Sequence, residues 1–387
     1  MKLGIIGAGE CFRDKMLPAL QKIGNFQIPW IIDVKPEAGL RAYLAETGFK
    51  YPFAYHETGR YLVDIPSDSV DVVIDATPSR YRAQNTALSL AAGKHVYAEK
   101  PFTINQDGIA QVEAALKMHP GKLAYFAEYS RDEKGLPLRA LTGEFVNDNW
   151  YAQFIFPGLD AGLLKALHSI GDIREITGTW LEGSGKKSGI SHRLWVGDQD
   201  QGGQLLDMST HLFTYLPLFK NKIGSVTIDE CVTGICREFQ EEYKERTGKD
   251  IAETYAEVRL KSEHGFPIRF AFGKYTGVAE RVLNIEGRNG FIYMDFETQI
   301  MAVNTPAYTG MVQAVSVPKY IIIMSDLFRR LQNPALHQPY QFDNSKETLE
   351  LILSAKAKID PERTIVHEAG NIPTLSAFLS PLRRLPR

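Results

Sequence analysis

The sequence predicts an α/β chain in two parts. A doubly wound parallel sheet is expected over roughly the first third, and a second, sheet-based α+β domain over the rest. Three observations predict this. Short apolar runs alternate with helix-length amphipathic segments up to residue 125. Each of those runs ends on a small or polar residue. Beyond Tyr129 the rhythm gives way to segments of period two. Alternating strands and helices of this length build a parallel sheet covered on both faces, whereas period two marks a sheet with one covered face.

The elements follow in order. Leu3 to Gly7 is an apolar run broken by Gly7-Ala8-Gly9. Phe12, Met16, Leu17, Leu20 and Ile23 then share one broad helical face, and Gly24-Asn25 stops the helix. Ile28 to Ile32 is the next strand and ends in Asp33. Val70 to Ala76 reads as a strand, Thr77-Pro78-Ser79 as a turn and Tyr81 to Ala92 as a helix closed by Gly93. Lys94 to Ala98 is a short strand that runs into Glu99-Lys100-Pro101. Thr103 to His119 is a helix, and Leu123 to Ala127 a further strand. Right-handed crossovers place Gly7, Asp33, Thr77 and Lys100 on one sheet edge, where open α/β sheets bind ligands. The domain boundary is set at residues 125/126, with the C-terminal helices packing back on the first domain as an option.

Strand, glycine turn, helix, strand and terminal acid make a dinucleotide-binding unit. Its glycines let the backbone turn tightly and approach a pyrophosphate at a helix N-terminus. The turn residues Gly7, Gly9, Glu10, Cys11 and Phe12 are the expected cradle. Phe12 stands where a third glycine would serve close helix–strand packing. Asp33 reads either as a ligand of the adenosine ribose, favouring NAD over NADP, or as a turn acid; Lys35 two residues on offsets part of that preference. Thr77 and Pro78 are expected along the middle of the cofactor. Glu99 is either a cofactor contact or a plain strand-end acid.

Composition sets the outer limits. The chain has 387 residues, enough for two domains, and a formal net charge of −2, which calls for neither nucleic acid nor an anionic membrane. Three scattered cysteines, Cys11, Cys231 and Cys236, are too few for a disulfide framework or a structural zinc site, and no metal is expected. The pair Cys231 and Cys236 reads as core or strand residues. No run approaches the length of a membrane span, and the first strand leaves no room for a signal peptide, so the expected location is the cytoplasm.

Gly4-Ile5-Ile6-Gly7-Ala8-Gly9, the Ala76-Thr77-Pro78 turn, and Ala92-Gly93-Lys94-His95-Val96 running into Glu99-Lys100-Pro101 together resemble the Gfo/Idh/MocA oxidoreductases. Gly202-Gly203-Gln204-Leu205-Leu206-Asp207-Met208-Ser209-Thr210-His211 is similar to that family's glycine-rich entry into a helix bearing Asp-x-x-x-His. Gln204 departs from the pattern, since a third small residue often stands there. The resemblance implies a Rossmann domain followed by an α/β domain on a large open, mostly antiparallel sheet. It also implies NAD as cofactor ahead of NADP, and a homodimer or homotetramer formed through that sheet. By position, Lys100, Asp207 and His211 match the family's active-site lysine, aspartate and histidine. The implied reaction moves hydride between the nicotinamide and a secondary alcohol of a sugar, cyclitol or sugar derivative. Two alternatives stay open: a redox-assisted NAD-dependent glycosidase and a non-catalytic NAD-sensing regulator. Tyr129, His168, His192, Arg193 and Trp195 are candidates for substrate selection. Arg237 to Asp250 reads as a charged, insertion-like stretch, and Ser345 to Ile359 as a helix.

Overall fold

A computed structural model describes residues 1–57, 70–127, 169–183, 194–200, 202–313, 317–336 and 340–372. The chain divides into two compact units, the first formed by Met1–Glu128 with Val317–Lys346 and the second by Tyr129–Ser316 with Glu347–Arg387.

The first unit carries six strands: β1 (Lys2–Ile6), β2 (Gln27–Asp33), β3 (Ala54–Glu57), β4 (Val72–Asp75), β5 (His95–Ala98) and β6 (Ala124–Phe126). They are all parallel, in the order β3-β2-β1-β4-β5-β6. The order reverses direction at β1 and β4, which makes the crevice beyond their carboxyl ends the switch point of a doubly wound sheet. Helices α1 (Leu17–Ile23), α2 (Glu37–Ala45), α3 (Ser79–Ala91) and α4 (Gln106–Met118) connect the strands. Leu3, Ile5, Ile31, Val72, Ile74, Tyr97 and Tyr125 form the core beside the sheet. A helix from far along the chain, Lys319–Gln332, completes that core with Tyr320, Ile323, Met324 and Leu327. Its buried Asp326 accepts from Arg330 Nε at 2.8 Å and from the Tyr125 hydroxyl at 3.1 Å.

The second unit is built on nine strands: β7 (Ile173–Glu182), β8 (Val226–Cys236), β9 (Tyr255–Ser262), β10 (Pro267–Lys274), β11 (Glu280–Gly287), β12 (Gly290–Asp295), β13 (Ile300–Thr305), β14 (Tyr308–Gln313) and β15 (Ile365–His367). Their order is β14-β13-β12-β11-β7-β10-β9-β8-β15. The pairs β7–β10 and β8–β15 are parallel and the others antiparallel. The α/β class and the large, mostly antiparallel second sheet are therefore as the sequence predicts. Strands β11 and β12 form a hairpin at Glu286–Gly290, with Gly287 opposite Gly290. Cys231 and Cys236 are buried in β8.

The stretch read as an insertion is different. Arg237–Thr247 is a regular helix that buries Phe239 and Tyr243, one turn apart, and closes on left-handed Gly248. Its charges form the solvated face, so a low apolar content hides a helix whose buried stripe is only two aromatic residues wide. The helix expected from Ser345 begins earlier and runs Tyr340–Lys356. The candidates Tyr129, His168, His192 and Arg193 lie outside the described residues. Trp195 falls in the short 3-10 turn Leu194–Gly197. Among the described residues no helix is long and apolar enough to cross a membrane.

Candidate active-site residues

Gly7 ends β1 with φ +79°, and a Cβ there would meet Thr77 Cγ2 at 3.0 Å. Only glycine combines that conformation with that approach to the Thr77 turn. A Cβ on Gly9 would meet nothing within 4 Å, so the turn opens directly above it. This open glycine turn leads into a helix whose first N–H groups lack intrahelical partners. The residues therefore fit the diphosphate of a dinucleotide, with the backbone of Gly9 and Glu10 and the exposed side of the turn as its cradle.

Phe12 corrects one expectation. Its ring is 0% exposed and packs in the core, so its side chain is no cofactor ligand. The ring fills the gap that a third glycine would close, and the first turn, Phe12–Met16, is a wide π-helix before α1 begins. Cys11 is partly buried, and its Sγ lies 3.5 Å from the Tyr320 hydroxyl. Burial, followed by the nearby Glu99 carboxylate, pushes the Cys11 thiol up.

Asp33 is 1% exposed. One oxygen accepts from Ala8 N–H at 2.7 Å and the other from Lys35 N–H at 2.8 Å. The turn-acid reading thus describes two of its bonds, and each oxygen keeps a further acceptor site for a hydroxyl. Thr77 is buried, and its N–H and hydroxyl both donate to Asp75 Oδ1, at 2.9 and 2.6 Å. Asp75 Oδ2 is buried with no hydrogen-bond partner among the described residues. Burial raises the Asp75 pKa above its ordinary value of 3.8. A raised folded-state pKa contributes stability that is present below the unfolded value and lost as pH rises through the folded value. Asp75→Asn keeps the acceptor for Thr77 and removes this titration. The variant is expected to gain on the parent as pH rises above 3.8, as read from urea unfolding midpoints across pH, and a parallel pair of curves would contradict it.

Glu99 and Lys100 follow β5, and the Lys100–Pro101 peptide is cis. Glu99 Oε1 accepts from the hydroxyls of Tyr97 and Tyr320, each at 2.8 Å. Burial alone would raise its pKa. The charges of Lys319 and Arg82 and the two hydroxyls outweigh burial and hold the carboxyl below its usual range. Glu99 is thereby anchored beside Lys100. Arg82 on α3 binds the carbonyls of Thr77, Glu99, Lys100 and Pro101. The glycine turn, Asp33, Thr77 and the Glu99–Lys100 turn are thus tied together at one edge of the first sheet.

In the second unit, Asp207 lies in the helix Gln204–Met208 and His211 in the helix Thr210–Phe213, joined at Ser209 in helical geometry. The single helix expected for the pair is two consecutive segments. Gly203 starts them at φ +91°, and a Cβ there would also strike the Glu253 carboxylate. Glu253 reaches in to accept from Leu205 N–H at 3.0 Å, and burial raises its pKa. Both segments lie on the covered face of the sheet. Parallel register sets Gly178, Trp180 and Glu182 of β7 opposite Phe270, Phe272 and Lys274 of β10. The His211 ring stacks on Trp180 at 4.0 Å and 3°. Lys274, 4% exposed, has its Nζ 3.5 Å from Asp207 and 3.8 Å from Glu182. Asp207 is thereby held opposite a buried cation, while an aromatic plane orients His211. Sequence reasoning does not single out Arg82, Glu253 or Lys274. Each acts on a segment distant in sequence or held in a turn, and none has a local spacing signal. Among the described residues no cluster with metal-ligand character occurs.

Residues 1–126 match the family model described as oxidoreductase family, NAD-binding Rossmann fold, of the Gfo/Idh/MocA group. That match covers the first 126 of the 387 residues, the part that carries the six-stranded parallel sheet. It is similar to 4-carboxy-2-hydroxymuconate-6-semialdehyde dehydrogenase of Sphingobium, with 34% identity over 117 residues, 30% of this chain and 34% of that protein. It is also similar to scyllo-inositol 2-dehydrogenase (NADP(+)) of Bacillus subtilis, with 25% identity over 55% of this chain and 52% of that protein. The matched stretches thus span about a third to a half of those relatives' own length. The fold is shared with KijD10, a 3-ketoreductase from Actinomadura kijaniata solved with NADP and TDP-benzene, at TM-score 0.68 and 16% identity over 95% of this chain and 99% of that one.

Proposed function

We propose that this protein is an NAD(P)-dependent oxidoreductase that transfers hydride between the nicotinamide cofactor and a secondary alcohol of a sugar, cyclitol or sugar derivative. The observation that carries this reading is the tied edge of the first sheet, where the open glycine turn, Asp33, Thr77 and Lys100 converge. When bound, the dinucleotide supplies a two-electron hydride acceptor or donor; the protein supplies position and charge. In the proposed roles, His211 takes the hydroxyl proton during oxidation and returns it during reduction, since imidazole titrates near neutrality. The Lys100 ammonium stabilises negative charge developing on the substrate oxygen. Asp207 accepts a hydrogen bond from substrate and orients the pair, with Lys274 supporting its charge. The inositol dehydrogenase relative supports the substrate class.

The cofactor expected is NAD ahead of NADP, because a carboxylate at the end of β2 opposes a 2′-phosphate. The names of the inositol dehydrogenase relative and of the ketoreductase complex carry NADP, so this is the point most open to test. Following reduced-nicotinamide absorbance with a panel of cyclitols and sugars, NAD⁺ is expected to exceed NADP⁺ by at least about tenfold in kcat/KM, equivalent to about 1.4 kcal/mol. A preference of that size for NADP⁺ would refute the role given to Asp33. Turnover of a glycoside without net cofactor reduction would instead support the glycosidase alternative. By family resemblance we also propose a homo-oligomer joined through the second sheet, measurable by light scattering.

A further inference from the structure

Arg82 is a buried cation, 6% exposed, whose hydrogen bonds all go to uncharged oxygens. Its Nε donates to Thr77 O at 2.7 Å. Its Nη1 faces Lys100 O at 2.7 Å, Pro101 O at 2.8 Å, Glu99 O at 3.2 Å and Ser79 Oγ at 3.4 Å. Three successive carbonyls of the lysine turn therefore converge on one guanidinium nitrogen. The opposite side of the same fork holds the carbonyl of the Thr77 turn. Burying a guanidinium is costly unless its donors are satisfied, and here the planar fork spans two chain segments that no single neutral side chain could bridge. No spacing in the sequence marks it, because the acceptors in the lysine turn are main-chain atoms 17 to 19 residues away.

We propose that Arg82 is a positioning residue for the proposed reaction: by gripping the carbonyls of Glu99, Lys100 and Pro101 and that of Thr77, it sets where the Lys100 ammonium stands relative to the cofactor turn. This rests on the role proposed for Lys100. Misplacing a catalytic group by about 1 Å costs on the order of 10²-fold in rate, so kcat is the parameter at stake. An ammonium is a point donor without the fork, so lysine at this position restores part of the grip.

The test uses Arg82→Met and Arg82→Lys in the full chain, alone and combined with Lys100→Met. Turnover is measured with the best substrate of the cyclitol and sugar panel. Lysine reactivity is measured without substrate, by reductive methylation with formaldehyde and cyanoborohydride and residue-by-residue mass spectrometry. Relative to the parent, Arg82→Met is expected to lower kcat on the order of 10²-fold and Arg82→Lys on the order of tenfold, with KM for the dinucleotide changed less than about threefold. In both variants Lys100 should label several-fold faster, while Lys2, Lys22 and Lys50 label as before. In the Lys100→Met background the Arg82 substitutions should have no further effect on turnover, because their effect passes through Lys100. Should Arg82→Met fail to fold, Arg82→Lys carries the same comparison. Folded variants with parental kcat and parental Lys100 labelling would overturn the proposal. So would a full, additive loss in the Lys100→Met background. Full turnover by Lys100→Met alone would instead defeat the functional reading on which the proposal rests.

Discussion

Lys100→Met is expected to lower turnover on the order of 10³-fold while leaving dinucleotide affinity within a factor of a few. The side chain is partly buried, two residues beyond the end of β5. The turn that presents it is held through main-chain carbonyls, which the substitution leaves in place. Methionine matches the length of the aliphatic stem and removes only the charge and its donors. Loss of kcat without loss of folding or cofactor binding is therefore the signature of an ammonium acting on the substrate oxygen. Thermal unfolding and quenching of intrinsic fluorescence by the dinucleotide provide the two controls. A variant that binds poorly but turns over normally at saturation would place Lys100 in cofactor binding instead.

Lys274→Met is expected to destabilise the second unit by about 3 kcal/mol, because it leaves Asp207 and Glu182 facing each other without their shared cation. Lys274 and Asp207 are both buried, and Glu182 keeps a second partner in Arg281 at 3.1 Å. The penalty therefore falls mainly on Asp207. Lys274→Met combined with Asp207→Asn should be more stable than Lys274→Met alone, since the uncompensated buried charge is then gone. Urea midpoints for the three proteins decide this, and a Lys274→Met midpoint equal to the parent's would show that the pair contributes nothing.

Much of the first unit is readable from local pattern. Runs such as Leu3 to Gly7 and Ile28 to Asp33 are buried strands, and the Phe12-to-Ile23 stripe is a helical face. What pattern does not show is what lies at the edge or arrives from afar. β3 is a mostly exposed edge strand, so its four residues carry little apolar signal. Tyr320, Ile323, Met324, Leu327 and Phe328 have helical spacing, yet nothing local says that they complete a core assembled about two hundred residues earlier.

The site divides the same way. Gly7, Asp33, Lys100, Asp207 and His211 stand in spacings that follow from turn geometry and helix periodicity. Their supports do not. Arg82 binds main-chain oxygens, Glu253 reaches a helix start forty-eight residues away, and Lys274 meets Asp207 across packed elements. Phe12 shows the opposite case. A position read from the glycine fingerprint as part of the cradle is taken by the core, and the backbone widens there into a π-turn.

The most direct measurement of the central claim is isotope transfer from substrate to cofactor. A cyclitol or sugar active in the panel is prepared with deuterium at the oxidised carbon and incubated with the protein and NAD⁺, and the reduced nicotinamide is analysed by NMR. The account predicts deuterium at C4 of the ring, on one face only, with the parent protein and essentially none with Lys100→Met. Reduced cofactor free of deuterium, or equal transfer by the two proteins, would contradict it.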